Sequence, residues 1–243
     1  MPKKLSKSNN VPTSLTTPSS SSSTPTPSSS TATTSSASIT LPPWLHDGLP
    51  VPKLIVLDLD YTLWPFYSDI HIATPVRPAP YSGHARVTDR NGEAFALYPD
   101  APHILHLLSS LPPSRGIRLA VASKSPVGDL CREMLRLLRL PAGPPAGLGG
   151  GRDGDMRSEG KGRKTVEVFD AGLEIYEGSK LRHFDVISKR TGIPFHEMLF
   201  FDDERPNREV EQLGVTMKLV EDGLTWAELE RGINQWRGNR GLV

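Results

Sequence analysis

Leu54-Ile55-Val56-Leu57-Asp58-Leu59-Asp60-Tyr61-Thr62 is the stretch that decides how this chain is read. Its four leading aliphatic residues, bounded by Pro52 on one side and by acidic residues on the other, form a run of strand length buried on both faces. Strands of that kind belong to parallel sheets with helices on either side. Three more short apolar runs follow, at Ile117-Arg118-Leu119-Ala120-Val121, Met198-Leu199-Phe200-Phe201 and Val215-Thr216-Met217-Lys218-Leu219-Val220. Between them apolar residues fall at helical spacing over His103 to Leu111, Val127 to Leu140, Ser179 to Thr191, Arg205 to Leu213 and Thr225 to Trp236. This alternation predicts an α/β fold, a doubly wound, mostly parallel sheet with helices on both faces. In such sheets ligands bind beyond the carboxyl ends of the strands.

The strand ends are where the chemistry-bearing residues stand. The first strand runs into Asp58 and Asp60, the second into Ser123-Lys124-Ser125, and the one near residue 200 into Asp202-Asp203-Glu204. Two carboxylates about 4 Å apart repel by about 4 kcal/mol at an effective dielectric near 20, so either protons or a cation must offset their charge. With only carboxylate, carbonyl and water oxygens on offer, a hard ion such as magnesium is expected. The D-x-D-x-T pattern also opens a calcium-binding EF-hand loop. That reading fails, because Leu63 stands where the loop needs glycine and a strand precedes it. The glycine-rich segment ending in Gly160-Lys161-Gly162 is no phosphate-gripping P-loop either, since no Ser or Thr follows the lysine and no strand leads in.

Composition narrows the classes further. The 243 residues carry 28 Lys+Arg against 27 Asp+Glu, a formal net charge of +1, so no basic field points to nucleic acid or a membrane as partner. One cysteine, Cys131, excludes a disulfide framework and a multi-cysteine zinc site, as a reducing compartment would require. Residues 1–45 are dominated by Ser, Thr and Pro and are expected to form a disordered tail. A glycine-rich stretch at 141–164 reads as a flexible insert within a single domain over 46–240. Neither a signal peptide nor an arginine-bearing transit helix is visible, the first arginine being Arg77. The expected location is cytoplasmic, with the nucleus also compatible and the mitochondrion disfavoured.

Asp58-x-Asp60-x-Thr62, Ser123 after the second strand, Lys180 in Gly178-Ser179-Lys180, and Asp202-Asp203 after a further strand occur in the order of the four motifs of the haloacid dehalogenase (HAD) superfamily of phosphohydrolases. The chain resembles that superfamily, and within it the eukaryotic magnesium-dependent phosphatases, over roughly Pro52 to Leu140 and Thr165 to Trp236. The resemblance implies a HAD-like Rossmannoid fold and a magnesium-dependent phosphohydrolase working through an aspartyl-phosphate intermediate. It implies Asp58 as the nucleophile and Asp60 as the general acid and base. Magnesium would be held by Asp58, the Asp60 carbonyl and the motif-four carboxylates, Asp203 directly with Asp202 nearby. Ser123, Lys124 and Lys180 would bind the phosphoryl group, with Thr62 bracing the nucleophile loop beside them. In the family an arginine commonly stands where Lys124 does, so the bidentate fork is lost there while the charge remains.

Neither 63–122 nor 124–179 holds a full cap domain, so an open site is expected. Turn signals at Ser82-Gly83 and Asn91-Gly92 predict a small β flap within Asp69 to Leu97. Trp64, Phe66 and Tyr67 either line the mouth or lie beneath that flap. An open mouth suits phosphotyrosine, sugar phosphates or a phosphorylated protein adduct, and the resemblance extends to protein-tyrosine phosphatase activity. A catalytically silent interaction module and a phosphotransferase with an acceptor other than water are the alternatives.

Overall fold

In the computed structural model, residues 42–112, 116–141 and 162–243 are described. The aliphatic run forms β1 (Leu54–Leu57), and all four of its side chains are buried. Burial of each contributes about 1.5–3 kcal/mol relative to exposure. β1 is the middle strand of a five-stranded sheet that also contains β5 (Arg118–Ser123), β6 (Gly172–Ile175), β7 (Met198–Asp202) and β8 (Thr216–Leu219), in the order β6-β5-β1-β7-β8. Every pairing in it is parallel, with Leu54 level with Arg118 on one side and Met198 on the other.

Alternate residues of β1 serve different faces, as the strand pleat requires. Ile55 and Leu57 join a core built with α2 (Ala101–Ser109), α3 (Gly128–Leu137) and α5 (Trp226–Gly238). Leu54 and Val56 join a second core with α4 (Lys180–Thr191) and the 3-10 helix Arg205–Leu213. The doubly wound expectation therefore holds, with helices on both faces. The 205–213 helix is 3-10 throughout, entered through Pro206 and closed by Gly214 at a φ of 97°.

Two elements depart from the sequence reading. β6 was not expected: its apolar pattern is broken by Glu174, a buried carboxylate paired with Arg190, at a sheet edge where only one neighbour is needed. The helix expected over 127–140 stops at Leu137, because Leu138 turns to an extended backbone and accepts from the Thr165 N–H at 2.9 Å. The Leu140 N–H then donates to the Arg163 carbonyl at 2.8 Å, so the two ends of the expected insert are tied together. The insert itself lies almost entirely outside the described residues.

The tail expected over 1–45 lies outside the described residues up to 41, but its end is folded. Pro43–Leu45 form a 3-10 turn that buries Trp44 in the core. Arg237 on α5 secures this segment, pairing with Asp47 at 2.6 Å and donating to the Pro50 and Trp44 carbonyls.

Between β1 and α2 the chain forms α1 (Ser68–His71) and a three-stranded antiparallel flap of β2 (Arg77–Pro78), β3 (Arg86–Thr88) and β4 (Ala94–Ala96), as the turn signals predict. Asp89 fixes its second turn by accepting from the Asn91 and Glu93 N–H groups at 2.8 and 2.9 Å. Among the described residues no cap domain is inserted, and no helix is long and apolar enough to cross a membrane.

Candidate functional site

The parallel arrangement brings the carboxyl ends of β1, β5 and β7 to one edge of the sheet. Asp58 follows β1 and stays in the ladder, its N–H donating to the Phe201 carbonyl at 3.0 Å. The chain then closes a tight turn in which the N–H groups of Thr62, Leu63 and Trp64 all meet the Leu59 carbonyl. Tyr61 enters that turn at a φ of 51°, a conformation that a non-glycine residue adopts at a cost. Backbone bonds from Tyr98 to Leu63 and from Leu224 to Thr62 hold the turn against the rest of the molecule.

A cleft of about 170 Å³ opens at this edge, lined among others by Asp58, Asp60, Ser123, Lys124, Lys180 and Asp203. A larger groove of about 660 Å³, between Trp44 and Leu242, lies at the opposite ends of the strands and contains none of the clustered carboxylates. Chemistry rather than size identifies the site.

Lys180 is its electrostatic centre. The ammonium is 99% withdrawn from solvent and touches Asp58 Oδ1 at 2.8 Å, Asp202 Oδ2 at 2.9 Å and the Ala122 carbonyl at 2.6 Å. Its three N–H donors are thereby all taken up by the protein. Burial works to lower its pKa, but the two aspartates outweigh burial and raise it, so the side chain is held as a cation. The position of Lys180 is itself braced: Glu209 accepts from the Lys180 N–H at 3.0 Å and from the Ser179 hydroxyl at 2.8 Å, while Ser179 caps α4 through the Leu181 N–H.

One ammonium does not balance the carboxylates present. Asp58, Asp202 and Asp203 each bring an oxygen within 4.8 Å of the others. Burial raises the Asp58 carboxyl to about 7, Lys180 opposing and the Asp202 charge adding to the shift. Burial and Asp202 likewise raise Asp203 to about 6. An all-oxygen, crowded and partly buried donor set of this kind fits a small hard divalent cation. Asp202 is fully buried, accepting from Asn207 Nδ2 at 2.9 Å and from the Glu204 N–H at 2.8 Å, whereas Asp203 lines the cleft.

Asp60 stands beside this cluster with a separate set of partners. Its Oδ1 accepts from the Trp64 indole N–H at 2.6 Å and from the Ser68 N–H at 3.2 Å, and its Oδ2 accepts from the Ser68 hydroxyl at 3.2 Å. Burial raises its pKa against these donors. Ser123 receives the Ser125 N–H at 3.3 Å, and the Lys124 ammonium donates to Asn207 Oδ1 at 2.6 Å, leaving further N–H donors beside the cleft.

Six of the eight expected site residues line the cleft, and a seventh, Asp202, is buried behind it against Lys180. Thr62 is the exception: it is fully buried, does not line the cleft, and among the described residues its hydroxyl finds no partner. Its bracing of the loop runs through its backbone. Of the three aromatics that follow the first motif, Trp64 and Phe66 lie beneath the flap, Phe66 stacking on Trp64 and meeting Phe95 of β4 edge-on at 4.9 Å. Tyr67 lines the cleft mouth and meets Tyr61 edge-on. Asn207, Glu209 and Ser68 are not singled out by the sequence reading, which places Trp64 at the mouth or beneath the flap and not on Asp60. Asn207 had one usable signal, a polar residue in the first turns of the helix that follows Asp202. Ser68 had none, since its position depends on how the flap base folds.

Residues 50–239 match a family model described as Acid Phosphatase. Over 184 residues the chain is 36% identical to magnesium-dependent phosphatase 1 of Homo sapiens, an alignment covering 75% of this chain and 86% of that protein. Over 169 residues it is 34% identical to a HAD-like hydrolase superfamily protein of Schizosaccharomyces pombe, covering 70% of this chain and 86% of the relative.

Proposed function

The chain belongs to the acid phosphatase family, within the HAD-like hydrolases, and from that membership and the site geometry we propose that it is a magnesium-dependent phosphohydrolase of phosphate monoesters. The observation that carries the reading is the convergence of Asp58, Asp60, Ser123, Lys124, Lys180 and Asp203 on one cleft at the carboxyl ends of three neighbouring parallel strands.

Asp58 is the nucleophile. Lys180 engages its Oδ1, offsetting the carboxylate charge and fixing its direction. In-line attack on phosphorus forms a bond from Asp58 to the phosphoryl group while the ester oxygen departs, giving an aspartyl-phosphate. Asp60 gives its proton to that departing oxygen and, once ionised, takes a proton from the water that hydrolyses the aspartyl-phosphate. Splitting the reaction in this way replaces one very slow step by two easier ones. Ser123 and the remaining N–H donors of Lys124 bind phosphoryl oxygens whose charge is redistributed during transfer. Asp58, Asp203 and the Asp60 carbonyl would hold magnesium, with Asp202 behind them; when bound it supplies charge neutralisation between the carboxylates and the phosphate dianion. Asp202, tied to Lys180 and Asn207, keeps that side of the cleft in place.

The absence of a cap among the described residues and the half-exposed Tyr67 at the rim support substrates that approach from open solvent: phosphotyrosine, a sugar phosphate or a phosphorylated protein adduct. The test is release of phosphate from p-nitrophenyl phosphate with and without magnesium, on native protein and Asp58→Asn. Turnover is expected to need magnesium and to fall at least about 1,000-fold in the variant, as loss of a covalent nucleophile entails. Unchanged turnover in the variant would remove Asp58 from the mechanism. Transfer of the phosphoryl group without free phosphate would make the protein a phosphotransferase, and no reaction at all a silent module.

A further inference from the structure

Ser68 opens α1 and is fully buried beside the half-exposed Tyr67. It does not line the cleft, so its hydroxyl does not meet substrate. Its polar atoms nonetheless converge on a residue that does. Both its N–H and its hydroxyl donate to Asp60, each at 3.2 Å and each to a different carboxylate oxygen.

The other side of the Ser68 hydroxyl reaches the far wall of the cleft. It lies 2.8 Å from Ser125 Oγ, and the Cys131 thiol donates to it at 3.3 Å. When Asp60 is ionised the Ser68 hydrogen goes to it and Ser125 supplies the hydrogen between the two serines; when Oδ2 is protonated, Ser68 can take that proton's bond and give its own hydrogen to Ser125. Ser125 Oγ in turn accepts from the Val127 N–H at 3.3 Å and from the Cys131 thiol at 3.5 Å. The contacts therefore run unbroken from the start of α3 through the loop after β5 and across to Asp60, and the two hydroxyls can reverse their sense with the Asp60 proton.

We propose that Ser68 is a positioning residue for proton delivery to the leaving group, fixing Oδ2 of Asp60 and tying it through Ser125 to the loop that carries Ser123 and Lys124. The inference rests on the reading of Asp60 as the general acid. Two N–H groups, from Trp64 and Ser68, face Oδ1, and neither can accept a proton's hydrogen bond. Oδ2 meets a hydroxyl, which can either give or take one, so Oδ2 is the oxygen that can carry the transferable proton. Ser68 aims it. The same contact couples the acid to the phosphate-binding loop, so that the proton and the phosphoryl oxygens are held in one frame.

A role confined to proton delivery has a signature that a packing role lacks, namely dependence on the leaving group. Phenoxide leaves poorly and needs protonation, whereas p-nitrophenoxide leaves well without it. The experiment measures kcat/KM on phenyl phosphate and on p-nitrophenyl phosphate with magnesium, for the full chain and Ser68→Ala. The variant keeps the Ser68 N–H bond and loses only the hydroxyl. It is expected to lose about tenfold more on phenyl phosphate than on p-nitrophenyl phosphate. Ser125→Ala, which reaches Asp60 only through Ser68, is expected to shift the ratio in the same direction. Any contact of Ser125 with the phosphoryl group cancels, because that group is common to both esters. This second variant decides the matter if Ser68→Ala fails to fold. Equal losses on the two esters, or none, would overturn the role of Ser68 and leave the phosphohydrolase reading standing. No turnover of either ester by the native protein would overturn that reading and this one together.

Discussion

Asp58 and Asp203 are held in the folded chain at the edge of ionisation, and this makes the metal and the pH partners in one equilibrium. Burial raises the first to about 7 and the second to about 6. A carboxyl whose folded pKa lies above its unfolded value contributes stability below about pH 4, and loses that contribution as pH rises through the folded value. For these two groups the window therefore runs from about pH 4 to about pH 7. A divalent cation binds the ionised carboxylates and competes with protons for them. Magnesium is expected to raise the melting temperature of the native protein more at pH 8 than at pH 5. An increment of equal size at both, read by differential scanning calorimetry, would separate the metal from these aspartates. The same scale shows what the sequence could reveal of the site. Asp58, Asp60, Ser123, Lys124, Asp202 and Asp203 were legible because each stands at or just past a strand end that local pattern predicts, whereas Lys180 was legible only through the resemblance to the four HAD motifs. Ser68 and Glu209 were not, since their partners lie in other elements and no local pattern announces them.

At the scale of elements, α5 comes close to the sheet only because of one residue. Gly232 faces β7, and a Cβ there would stand 2.5 Å from Phe201 Cζ and 2.7 Å from its Cε1, with Leu199 Cδ2 at 3.4 Å. Phe201 is fully buried and immediately precedes Asp202, so it has little room to turn aside. Gly232→Ala is expected to destabilise the protein by about 1–3 kcal/mol, the usual cost of overpacking, despite the better helix propensity of alanine. Urea denaturation monitored by tryptophan fluorescence checks this, and a stabilised variant would show that α5 can slide outward. Strand and helix order could be read from the chain because aliphatic runs and helical spacing alternate cleanly. β6 could not, because Glu174 interrupts it and the compensating Arg190 sits on another element.

Across the whole molecule, the first described segment is held by a residue far along the chain. Arg237 holds the segment from Trp44 to Pro50, meeting Asp47 in a two-pronged pair and three backbone carbonyls, and it is almost completely buried. A tie of that sort cannot be seen in a Ser/Thr/Pro-rich sequence, since the partner lies 193 residues away from Trp44. Arg237→Met is expected to cost about 2–3 kcal/mol, because it strands hydrogen-bond acceptors that the guanidinium now satisfies. The site lies at the opposite ends of the strands, so kcat on p-nitrophenyl phosphate at low temperature should be unchanged. Loss of kcat without loss of melting temperature would contradict the separation.

The central place of β1 in the sheet has a further meaning. An edge strand can peel away while the rest of a domain stays folded, but a strand with a parallel neighbour on each side opens only when the sheet itself is lost. Asp58 continues that strand, and its own N–H is bonded across to β7. The backbone that carries Asp58 is therefore expected to be among the last to exchange its amides, and a form of the chain opened at this sheet does not hold the Asp58 carboxylate in register. Any activity that needs Asp58 in place is therefore bounded from above by the fraction of molecules whose sheet is intact.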